Sequence, residues 1–127
     1  MGRGLSSNVS LSNRNSMYHG SLWLDFENDH EEEHLSAKIS RCIIRGNEII
    51  FEFSGINEGC HYSGSCKLLK NGAAYYGVGI FKYADDREVS SIVEASLQIN
   101  GSEVSLHGTW KDEGDQESYE LEAELKV

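Results

Sequence analysis

With 127 residues, 39% hydrophobic and 9% aromatic, the chain suits one globular domain, long enough to bury a core and too short for two. Its formal net charge is −10, and Arg3 and Arg14 are the only charged residues among the first 17, so the remainder stands at −12. Such a field repels phosphate backbones and anionic lipid, which argues against nucleic-acid and membrane partners, and no stretch approaches the roughly 18 consecutive apolar residues of a membrane span.

Residues 1–17 are rich in Ser and Asn and lack aromatics and apolar periodicity. They read as a flexible tail ahead of a single domain at 18–127. The tail has no continuous apolar core of the kind a secretory leader needs. Gly2 and Ser6 match the N-myristoylation pattern, one short enough to recur by chance. Three cysteines, Cys42, Cys60 and Cys66, make an odd count. Cys60 and Cys66 on one extended strand lie about 20 Å apart, beyond disulfide reach. Reduced thiols in the cytoplasm are the expectation, and the sequons at Asn8 and Asn100 then have no glycosylation machinery to meet.

From Gly20 onward, eight strands are predicted at 20–27, 35–44, 48–54, 60–69, 73–82, 89–99, 102–111 and 117–126. Their regular spacing, sequential hairpins and lack of a helix-period segment predict an all-β fold, an antiparallel up-and-down meander of about eight strands closing into a barrel. The first strand turns Leu22, Leu24 and Phe26 inward. The following run contains His30-Glu31-Glu32-Glu33-His34, which satisfies the zincin spacing literally. That chemistry needs a helix, and an acidic connector between strands supplies none, so no metal site is expected and His30 and His34 offer only adventitious surface binding.

Arg45-Gly46-Asn47 reads as a three-residue turn with a bulge. It would place Ile43 opposite Ile49, Ile39 opposite Phe53, and Arg41 inside opposite Phe51. A buried guanidinium requires an anion. A bulge beside Arg41 would return it to solvent instead. Asn71-Gly72 and Asn100-Gly101 read as two-residue type I′ turns. The first pairs Leu68 with Tyr75, Cys66 with Gly77, Gly64 with Gly79 and Tyr62 with Phe81. The second pairs Leu97 with Val104, Ala95 with Leu106, Val93 with Gly108 and Ser91 with Trp110. Tyr119, Leu121, Ala123 and Leu125 continue the dry face on the last strand. Gly64, Gly77, Gly79 and Gly108 fall on that inward face, which implies either curvature or space beneath them.

The predicted lining is Phe51, Phe53, Tyr62, Cys66, Tyr75 and Trp110, with Arg41 as a candidate anchor. No basic neighbour in sequence activates Cys66, and His61 and His107 alternate outward, so Cys–His catalysis is not indicated. Tyr76, Val78, Ile80 and Ile92 point outward in the same register and predict a homodimer surface.

The eight-stranded meander with Gly108-Thr109-Trp110 resembles the calycins, the lipocalin, fatty-acid-binding and avidin group. The lipocalin GxW lies on the first strand and this one on the seventh, so the resemblance is of architecture and carries no binding residues over. It implies a barrel that holds a small apolar or amphipathic ligand. Three functions follow as expectations: a non-enzymatic binding module for such a ligand, a barrel enzyme of the cyclase or isomerase type, and a protein-interaction or assembly unit with a filled core. No catalytic residue or cofactor is implied, which favours a non-enzymatic role.

Overall fold

The alternation of apolar and polar residues closes eight strands into one barrel. A computed structural model describes residues 17–127, and the tail, its acylation pattern and the Asn8 sequon lie outside the described residues. The strands are β1 (Met17–Glu27), β2 (Glu32–Arg45), β3 (Glu48–Asn57), β4 (Cys60–Asn71), β5 (Ala74–Tyr83), β6 (Glu88–Asn100), β7 (Glu103–Asp112) and β8 (Tyr119–Lys126). Each pairs antiparallel with its sequence neighbours, and β1 closes on β8 with Leu22 opposite Ala123 and Leu24 opposite Leu121. No described helix is long and apolar enough to cross a membrane.

The predicted face assignment holds on β4 to β7. Tyr62, Cys66 and Leu68 on β4, Tyr75 and Phe81 on β5, Val93 and Ala95 on β6, and Leu106 and Trp110 on β7 are all buried. The register within that face is different. Asn71 pairs with Ala74 and Leu68 with Gly77; Asn100 pairs with Glu103 and Leu97 with Leu106. Each hairpin is therefore displaced by two residues from the expected pairing, which keeps the phase because side chains repeat every two. The turns are Gly72-Ala73 and Gly101-Ser102, with positive φ at the glycine alone (69° and 63°). A single positive φ at the first central residue is the type II′ requirement, so glycine leads the turn and the asparagine belongs to the strand. The turn with two positive φ values is Glu58-Gly59 (51° and 80°).

The β2–β3 turn is likewise two residues, since Arg45 pairs with Glu48. The bulge lies further back. Between Ile39 and Cys42, β2 slips against both neighbours: Ile39 faces Gly20 and Phe53, whereas Cys42 faces Tyr18 and Phe51. An extra residue in a strand flips the phase of everything beyond it. The inward set accordingly changes from Ile39 to Cys42 and Ile44, while Arg41 is exposed and Ile43 is turned out. The placement of Arg41 inside opposite Phe51 is thus overturned in favour of the bulged alternative.

Candidate functional site

The barrel interior is occupied by its own side chains. Trp110 stands edge-on to Phe53 (ring centroids 5.8 Å) and Phe81 (5.6 Å). Phe81 also meets Phe53 at 5.2 Å and Tyr62 at 5.5 Å. Offset and perpendicular ring pairs at these separations are close to optimal. The space bounded by Leu22, Leu24, Leu35, Ala37, Tyr62 and Phe81 admits no water-sized sphere. At the inward glycines the space is taken up as well. A Cβ on Gly79 would overlap the Trp110 ring, and one on Gly77 would overlap the backbone carbonyl of Lys67 on β4. These glycines permit close approach of ring and strand and border no cavity.

Of the predicted lining, Phe51, Phe53, Tyr62, Cys66, Tyr75 and Trp110 are gathered inside, and Arg41 is not. Tyr62 has a structural task. The β2–β3 ladder ends at Lys38 and Ser54, and the Tyr62 hydroxyl donates to the carbonyl of Ser36, further along β2, at 2.7 Å. It supplies the hydrogen bond that β3 no longer offers. The Trp110 indole N–H and the Tyr18 hydroxyl have no partner among the described residues. Tyr18, Cys42 and Ile44 join the core unpredicted, because β1 begins before the expected strand start at Gly20 and the β2 bulge lies away from the expected turn.

Burial pushes the Cys42 thiol up to about 12, and burial first, with Cys42 second, drives Cys66 further in the same direction. Both stay protonated at neutral pH and are poor nucleophiles. Cys60 is exposed. N-Ethylmaleimide will therefore add once to the native protein and three times after denaturation, read as intact mass; rapid labelling of Cys66 in the native state would contradict this packing.

His30 lies in the β1–β2 turn and His34 within β2, so the helical spacing of the metal motif does not form. His34 instead bridges two carboxylates, Nδ1 to Asp25 at 2.7 Å and Nε2 to Glu32 at 2.6 Å. Both nitrogens donate only in the imidazolium, so the hydrogen bonds to Asp25 and then Glu32 raise its pKa. A raised folded-state value means that this contact stabilises below the unfolded pKa of about 6.5 and fades as pH rises through the folded one. In an NMR titration, the His34 midpoint will fall in Asp25→Asn; an unchanged midpoint would dissociate the shift from the bridge.

An open cleft of about 740 Å³ lies on the outside where the β2–β3 ladder ends, lined by Trp23, Ala37, Lys38, Gly55 and Ile56 among others, and two further surfaces bear on function. At one end of the barrel a cleft of about 350 Å³ opens between the β1–β2 and β7–β8 connections, lined by Phe26 and Tyr119 together with Glu31, Glu33, Asp115 and Glu117. Burial, then the negative charge of Glu33, lifts the Tyr119 hydroxyl well above the ordinary tyrosine value. Among its lining residues are four carboxylates and no lysine or arginine, an arrangement that attracts cations without assembling an acid–base pair.

The second surface is the outside of β3–β6. Leu69 (53%), Tyr76 (44%), Val78 (51%) and Ile92 (69%) are solvent-exposed there, and Ile50 and Ile80 are half-buried beside them. Cross-strand register runs them together: Ile50 beside Lys67, Lys67 beside Val78, Val78 beside Ile92, and Ile92 beside Lys111. The adjacent row reads Glu48, Leu69, Tyr76, Glu94 and Thr109. The expected register leaves Leu69 away from Tyr76, which hides its membership. The far side of the barrel differs, with Asp25, Glu120, Glu122 and Glu124 exposed or half-buried on β1 and β8. Comparison with protein families, curated proteins and solved structures finds no match to this chain.

Proposed function

We propose that this protein is a non-enzymatic interaction module: a calycin-like barrel in architecture whose interior is filled and which works through the outer face of β3–β6. The observation that carries the reading is the contrast between a core in which Phe53, Phe81 and Trp110 pack ring against ring and the exposed Leu69, Tyr76, Val78 and Ile92, which pair across β4, β5 and β6 outside it. Apolar side chains grouped on one outer face form a surface that a partner can cover. Protonated, buried thiols, and an interior in which Ser91 is the one buried polar residue among those described, argue against the cyclase or isomerase reading; the His34 bridge to Asp25 and Glu32 is exposed. Reduced cysteines agree with a cytoplasmic setting.

The test is native mass spectrometry of the protein isolated from its own host, followed by titration with palmitate as an apolar probe while tryptophan fluorescence is monitored. The expected mass is that of the polypeptide without a stoichiometric small-molecule adduct, with no saturable change in emission. A one-to-one adduct released on unfolding would restore the internal-ligand function and overturn this one.

A further inference from the structure

We propose that the partner of the β3–β6 face is a second copy of this chain, docked face to face about a two-fold axis running along β5. This rests on the interaction-module reading and names the occupant of its surface. Such an axis lays β4 over the partner's β6 and β3 over the partner's β7. Tyr76 and Val78 then meet their own counterparts, and Ile92 packs on the aliphatic stem of Lys67.

The charges choose this arrangement. Lys67, which lies 3.5 Å from Glu48 in the single chain, comes beside the partner's Glu94. Lys111 falls between the partner's Glu48 and the partner's Glu52, the acids that flank Ile50 along β3. An axis at right angles to β5 would set Glu48 against the partner's Glu52, and like charges across an interface are strongly unfavourable. The barrel beyond residue 17 carries a net charge of −12, so two copies repel each other in most orientations. Contact through β3–β6 turns Asp25, Glu120, Glu122 and Glu124 away from the junction and brings together the side on which lysines answer the acids. Two sheets packed face to face in this way stand about 10 Å apart.

Sedimentation velocity on the full chain, from about 1 to about 100 μM, reads the association directly. Wild type is expected to dimerise in that range. Lys67→Glu and Glu94→Lys should each weaken dimerisation by about tenfold or more, as like charges then face one another. Mixing the two variants should restore it, because the variant with acids at both positions then meets the variant with lysines at both; this rescue also shows that each is folded. A wild type that stays monomeric throughout overturns the two-copy proposal and leaves the surface reading standing for a different partner. A dimer whose variants are not rescued on mixing overturns the proposed axis. A stoichiometric small-molecule adduct in the preceding experiment strikes the reading itself, so the failures are separable.

Discussion

Trp110→Ala will destabilise the barrel by about 4 kcal/mol and lower Tm by more than about 10 °C. The indole is 0% exposed and is the largest fully buried side chain. Truncating it removes the edge contacts to both Phe53 and Phe81. The strands around it are hydrogen-bonded into a closed ring, so the walls cannot collapse into the hole, and the cavity contribution should lie near the high end for an aromatic. Chemical denaturation of the variant checks this. A loss below about 1 kcal/mol would show that the interior was loosely filled from the start.

Gly79→Leu will be destabilising for the opposite reason, by about 3 kcal/mol. A side chain at 79 has to displace the Trp110 ring, which is held on its other sides by Phe53 and Phe81. The two positions are therefore coupled, and a double-mutant cycle with Gly79→Ala and Trp110→Phe should show a favourable interaction of about 1 kcal/mol or more, since a smaller ring makes room for the methyl. Additive losses would mean that ring and glycine are not in contact. A stable Gly79→Leu protein would point to unfilled volume beside β5 and reopen the case for an internal ligand.

These expectations rest on parts of the structure that the sequence announces unequally. The period-two alternation from Tyr62 to Leu68 and from Tyr75 to Phe81 is a local property, and it assigns inside and outside correctly. Pairing register is set by the turn, and Asn-Gly dipeptides satisfy two turn geometries. When glycine takes the first central position, the asparagine is drawn into the ladder and every pair moves by two residues without changing face. The buried set is insensitive to that shift, whereas the neighbours on the outer surface are reshuffled, which is how Leu69 comes to lie beside Tyr76.

Arg41 shows the other kind of limit. Nothing within Ser36–Ile44 marks where the extra residue sits, because alternation is readable on both sides of it and only the break is ambiguous. The cost of burying a guanidinium decides the matter, and that is an argument about energy in the assembled barrel, absent from the local pattern. The filled interior is equally illegible: glycines facing a core signal a void or a close approach, and only the position of the Trp110 ring separates the two.

The pairing of His19 with Lys126 has a practical corollary. The beginning of the first strand and the end of the last are side by side on the rim opposite the carboxylate-rich opening. Anything joined directly ahead of Met17 or directly after Lys126 hangs from that same rim. Fluorescent proteins spliced at those two points would leave the opening unobstructed and sit close enough to exchange energy.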